Sequence, residues 1–111
     1  MHIDVGKDFY PRLANRDRRQ GDGKHNAGQF RVKYLSHMDN PEFWAHDAES
    51  VTFDFKNVDK IGPSFANEAF AYFTKYAEPK LIKSRIKFVN ISEVDRIIIE
   101  EEIDSGYCDR K

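Results

Sequence analysis

The segment Val51-Thr52-Phe53-Asp54-Phe55 is β-branched or aromatic at nearly every position and is bounded by Ser50 before it and Lys56-Asn57 after it. Such side chains suit a pleated surface packed against neighbours, so it reads as an interior strand. Soon afterwards Gly62-Pro63-Ser64 announces a helix. Proline at the first turn presets φ and lacks only an N–H that would have found no partner there. Projected at 100° per residue, residues 65–76 place Phe65, Ala66, Ala69, Phe70, Tyr72, Phe73 and Tyr76 in one arc. The arc is roughly 160° wide, broader than the stripe of about 100° that a simple surface helix needs. Asn67, Glu68, Thr74 and Lys75 fall on the other side. Two readings of the wide arc stand. The helix is wedged between a sheet and a neighbouring helix, or its margin, Phe65 and Tyr72, is open to a partner.

His2-Ile3-Asp4-Val5 alternates as a half-buried strand, and Gly6 ends it. Residues 6–26 then form a long basic loop with room for a short edge strand, interrupted by Pro11, Gly21 and Gly23. Loops of that length inside a compact domain usually serve a function. Asn26 is a good N-cap, and from Ala27 the apolar positions Phe30, Tyr34, Leu35 and Met38 recur at helical spacing, giving an amphipathic helix to about Met38. Asp39-Asn40-Pro41 closes it, and Phe43 and Trp44 fold back onto the core.

Pro79 stops the next helix from continuing, and residues 86–91 alternate as a second central strand. Ser92, with Asp95 three positions on and Glu93 in the first turn, starts a last helix. Val94, Ile97 and Ile98 share one face of it and Ile99 and Ile103 lie nearly opposite, while three consecutive isoleucines suit a strand equally well. Residues 96–100 therefore read as helix or strand. As a helix, the Ile99 and Ile103 side is sticky and suggests contact with another segment or a second copy. Residues 106–111 are expected to form a flexible tail.

The order strand, helix, strand, helix, strand, helix predicts an α/β domain with a mixed, mostly parallel sheet of about four strands, right-handed crossovers and helices packed against it. Functional loops in such folds gather at the carboxyl ends of the strands. The 111 residues, 40% of them hydrophobic, fit one domain, residues 1–111, with a core that needs no staple. Cys108 has no second cysteine to pair with and is expected to be an exposed thiol, as suits a reducing compartment. A formal charge of −1 gives no overall field to hold a nucleic acid. The longest apolar run is Ile97-Ile98-Ile99, far short of the roughly 20 residues of a membrane span, and the start lacks a signal-peptide layout. A soluble, cytoplasmic protein with no membrane partner is expected.

The four histidines, His2, His25, His37 and His46, share no metal-ligand spacing, so no metal is expected. No glycine-rich phosphate loop is present, and Gly21-Asp22-Gly23 reads as a turn. Nothing flanking Ser64 or Cys108 supplies a general base, and Glu68, one helical turn past Ser64, reads as a solvated glutamate. The chain is therefore expected not to be an enzyme and to need no cofactor. Charge is unevenly spread. Arg12, Arg16, Arg18, Arg19 and Lys24 outnumber Asp17 and Asp22 in the long loop, whereas residues 93–104 hold acids against the single Arg96. Either stretch is a solvated surface by default, and the arginines also suit a phosphate or an acidic partner surface.

The run from Val51 through Val58-Asp59-Lys60-Ile61-Gly62-Pro63-Ser64-Phe65-Ala66-Asn67-Glu68-Ala69-Phe70 resembles the STAS superfamily, the fold of anti-sigma-factor antagonists. Within it, the run looks like a bacterial and phage-associated STAS-like family of unknown function. Ile86-Lys87-Phe88-Val89-Asn90-Ile91-Ser92-Glu93-Val94 is similar to the strand-then-helix close of the same superfamily, so the likeness spans residues 50–99. In the antagonists a serine at the amino end of the helix after the central strand is phosphorylated by a histidine-kinase-like ATPase, which breaks their complex. Carried over, Gly62, Pro63 and Ser64 stand where the family has Asp-Ser-Ser, so proline holds the usual acceptor position and Ser64 alone remains, as an N-cap or as the modified residue.

The resemblance implies a STAS-like, non-enzymatic regulatory module. It would bind an ATPase of that kind or another signalling protein through Ile61, Gly62, Pro63, Ser64, Phe65 and Tyr72. Two rivals are a phosphate or nucleotide binder using Arg12, Arg16, Arg18 and Arg19, and a homodimeric, inhibitor-like protein built on Ile99 and Ile103.

Overall fold

The computed structural model describes residues 2–16 and 25–108. Along them run β1 (His2–Asp4), α1 (Val5–Asp8), β2 (Arg12–Leu13), α2 (Ala27–Leu35), α3 (Pro41–His46) and β3 (Val51–Asp54). They are followed by β4 (Lys60–Ile61), α4 (Pro63–Ala69), α5 (Pro79–Arg85), β5 (Ile86–Val89) and α6 (Glu93–Ser105). Short 3₁₀ turns occupy Ser36–Met38 and Ala71–Lys75.

The expected α/β architecture with parallel pairing is present, but in place of one sheet of about four strands there are two small ones. One is a three-stranded parallel sheet in the order β1-β3-β5, and the other is the parallel pair β2-β4. The register sets Ile3 beside Phe53 and Phe53 beside Phe88. The edge strand foreseen in the long loop is β2, and it pairs with a two-residue strand too short to carry an alternation. The β-rich run at residues 51–55 became the middle strand because both its edges and its apolar face are covered.

That face is the core. Phe53 lies with ring centroids 5.0 Å from Phe30 of α2 and 5.9 Å from Phe70 at the end of α4, and Phe70 stands 5.0 Å from Phe88. Alternation turns His2, Thr52, Lys87 and Val89 to the opposite face, where they are half-buried or exposed.

Asn26 accepts from the Gln29 amide at 2.9 Å and starts α2 as expected, although the α-helix ends at Leu35 and tightens into a 3₁₀ turn before Met38. Phe43 and Trp44 do reach the core, carried by α3, whose N-cap is Asn40. The helix expected over residues 65–76 is two pieces, α4 and the 3₁₀ turn Ala71–Lys75. Its N-cap position is Gly62 and Pro63 opens the first turn, so Ser64 is not the cap.

Residues 96–100 are helical, within α6, with Ser92 accepting from the Asp95 amide at 3.1 Å. Its orientation reverses the expected sticky side. Ile99 and Ile103 are each 1% exposed, while Val94 and Ile97 face solvent. The two faces were equally apolar in sequence, and packing of α6 against α4 chose between them. The domain's own core occupies the Ile99 and Ile103 face, which therefore offers little surface to a second copy. Gly106, with φ of +88°, ends α6 in a backbone region that L side chains rarely adopt. Of the expected tail, residues 109–111 lie outside the described residues and 106–108 are docked: the Tyr107 amide donates to Thr74 Oγ1 at 2.8 Å and the Cys108 amide to Asn67 Oδ1 at 2.9 Å. No helix among the described residues is long and apolar enough to cross a membrane.

Candidate functional site

The Gly-Pro corner singled out in the sequence sits where β4 meets α4. The short β2-β4 ladder holds it from below: the Asp59 amide donates to the Pro11 carbonyl at 2.7 Å and the Gly62 amide to the Leu13 carbonyl at 2.8 Å. Leu13 and Ile61 point inward and are 0% and 2% exposed. Gly62 and Ser64 are half-buried and Pro63 is exposed.

The residues expected to contact a partner thus divide. Gly62, Pro63 and Ser64 reach the surface, whereas Ile61, Phe65 and Tyr72 do not. Phe65 is fully enclosed, its ring 5.5 Å from Phe30 and 6.4 Å from Phe9. Tyr72 is 9% exposed. The Arg31 guanidinium lies 3.7 Å from its ring centroid, and Tyr107 lies edge-on at 5.1 Å. Of the two readings of the wide arc, the structure adopts the wedged helix, and Phe65 and Tyr72 are packing residues, not docking anchors.

The polar side of α4 is covered as well. Glu68, expected to be solvated, has a side chain only 12% exposed. It pairs with Arg16 at 3.0 Å, with Arg31, and with the Tyr107 hydroxyl at 3.1 Å. Arg31 also donates to the Glu68 backbone carbonyl at 2.9 Å. Beside it, Asn67 is 3% exposed and fully used. Its amide donates to Glu102 Oε1 at 3.1 Å and to the Gly106 carbonyl at 3.0 Å, and its oxygen accepts from Cys108 and Arg16. Arg16 completes the tie by donating to the Cys108 carbonyl. The N-terminal segment, α2, α4 and the chain after α6 are thereby joined through one buried ionic knot. Burying such charges is tolerable only with partners and hydrogen bonds of this completeness. Desolvation, with the Glu68 charge next, pushes the Tyr107 phenol up from its usual range.

Next to the knot, Asp39 accepts from the Tyr72 hydroxyl at 2.9 Å and the Tyr76 hydroxyl at 2.7 Å, while the Lys75 ammonium donates to Tyr72 at 2.7 Å. The hydrogen bond to Asp39, with burial behind it, raises Tyr76 to about 12, and the bond to Tyr72 raises Lys75. Tyr76 and Lys75 therefore hold their protons at neutral pH and act as fixed donors.

A further polar group forms at the carboxyl end of the three-stranded sheet. Asp54 accepts from the Lys56 amide at 3.0 Å, from Asn90 Nδ2 at 3.1 Å and lies 3.3 Å from His2 Nε2. The Lys56 amide above all, against the opposing effect of burial and helped by Asn90, His2 and the Lys56 charge, holds its carboxyl at about 2.

Of the arginines considered for phosphate, Arg16 is committed to Glu68, Arg12 lies exposed on β2, and Arg18 and Arg19 lie outside the described residues. Among the described residues no group of three or more His, Cys, Asp or Glu is gathered as a metal ion would need. Cys108 is exposed, as expected. Sequence reasoning missed the Arg16–Glu68–Arg31 knot and the role of Asn67. Its one available signal was the width of the apolar arc, because a helix covered on most sides leaves little solvent for the remaining ones.

A family model described as a STAS-like domain of unknown function (DUF4325) matches residues 39–96, which contain β3, the corner, α4 and β5. Neither the curated proteins nor the solved structures contain a match to this chain.

Proposed function

Because this chain belongs to the STAS-like domains of unknown function, we propose that it is a non-enzymatic regulatory module that docks one protein partner through the corner at residues 60–64. The observation that carries the proposal is the exposure of Pro63, with Ser64 beside it, at the head of a helix whose other sides are pinned by Phe30, Glu68 and Asn67. A contact surface held this firmly loses little freedom on binding, which is the physical advantage of preorganisation. The charged groups nearby are spent on one another, as Arg16, Arg31 and Glu68 are, and this favours a structural over a chemical role for them.

The resemblance to anti-sigma-factor antagonists suggests the partner's kind, a histidine-kinase-like ATPase or another signalling protein. Ser64, half-buried in the first turn, is the residue whose phosphorylation would place anionic charge within the contact and release the partner. A phosphate or nucleotide site on the basic loop draws no support from Arg16, whose guanidinium is already paired.

Photo-crosslinking in native host cells tests the proposal. A crosslinking amino acid at position 63 is expected to capture one ATPase-class or signalling protein, and the same group at the exposed position of Lys80 is expected not to. Equal capture from both positions, or none from position 63, would overturn it.

A further inference from the structure

The free edge of β5 borders a groove of about 360 Å³ that separates it from α6. Among the described residues β5 pairs only with β3, so its outer edge carries no strand. The Val89 carbonyl accepts from Phe55 in the β3 direction at 3.0 Å. Backbone groups alternate sides along a strand, so the N–H and C=O of Phe88 turn outward along the groove. Ile99 and Ile103 form part of its wall, and Lys83, Lys87 and Arg96 stand around it against the single acid Glu100. Lys83 is paired with Asp104 at 2.7 Å, whereas Lys87 and Arg96 have no ion-pair partner among the described residues.

We propose that this groove binds an extended, acidic segment of a partner protein, which adds to β5 as a further strand. The unpaired edge supplies backbone hydrogen bonds, and alternate side chains of the added strand would lie beside the half-buried Phe88 and the exposed Val89. Lys87 and Arg96, with Glu100 alone to offset them on the groove, select acidic residues between those apolar ones. A second copy of this chain fits less well. Pairing two β5 edges about a two-fold axis at their middle brings Lys87 toward Lys87, a repulsive arrangement. The surface lies on β5 and α6 and does not depend on the corner assigned above to the regulatory partner.

The test uses the full chain and a phage-displayed library of random dodecapeptides. Enriched peptides are expected to alternate apolar and acidic residues. When labelled, they should bind roughly tenfold more weakly to the Lys87→Glu/Arg96→Glu double variant, the loss of about 1.4 kcal/mol that two charge contacts supply. Methylating alternate peptide nitrogens should abolish binding in one register and spare it in the other, and the Phe88 amide should gain hydrogen-exchange protection. Three results would each overturn the proposal: no enrichment of acidic peptides, binding indifferent to both the double variant and nitrogen methylation, or protection of Phe88 that appears without peptide as the chain dimerises.

Discussion

Glu68 places one carboxylate between two guanidinium groups and a phenol, and its side chain is 12% exposed. Removing it leaves Arg16 and Arg31 facing each other without a counter-charge. Glu68→Ala should therefore cost about 3 kcal/mol in urea denaturation, while Arg16→Met/Arg31→Met/Glu68→Leu should recover most of that loss because apolar residues replace the whole buried triad at little net cost. Asp54 makes a prediction in pH. Its carboxyl titrates at about 2 in the folded chain against an ordinary 3.8, so folding favours the ionised form. The stability this contributes is complete above about pH 4 and is lost as the pH falls through 2. Denaturation midpoints measured from pH 5 to 2 should fall less steeply for Asp54→Asn than for the parent chain. Neither role was legible in the sequence. Glu68 and Asn67 occupy the polar side of their helix by periodicity, and what makes them interior is the arrival of Arg16 and Cys108, which lie far away along the chain.

The elements that sequence reasoning found are those whose local chemistry is self-sufficient. Asn26 followed by a periodic run defines α2, Gly62-Pro63 defines the start of α4, and the β-branched run at residues 51–54 defines β3. Those it missed or misjudged depend on remote partners: two-residue strands exist only as a pair, and the exposed side of α6 was decided by which face met α4. Asn26→Ala should destabilise the domain by about 1 kcal/mol through loss of the α2 cap. Gly6 marks a closer fit. A Cβ built there would lie 2.0 Å from the Asn57 backbone carbonyl oxygen, so α1 packs directly on the chain leaving β3. Gly6→Ala should cost about 3 kcal/mol, at the upper end of overpacking, and lower the thermal midpoint accordingly.

Taken whole, the molecule is a small parallel sheet with a helical layer on its apolar face and a buried ionic knot tying α4 to both the N-terminal segment and the chain after α6. On the proposed reading, the knot would matter to function by holding the corner at residues 60–64 still while leaving Pro63 at the surface. Phe65→Asp could not test this, since Phe65 is enclosed and its charge would act on the fold. Pro63→Glu can, because an acid in the first turn of a helix is well placed for the backbone dipole. Co-purification of the tagged chain from its native host is the most direct measurement. Pro63→Glu should retain the circular dichroism of the parent yet recover at least about tenfold less of the proposed partner, as for loss of a contact worth more than 1 kcal/mol. Lys80→Glu should recover it in full, and equal recovery by both variants would contradict the account.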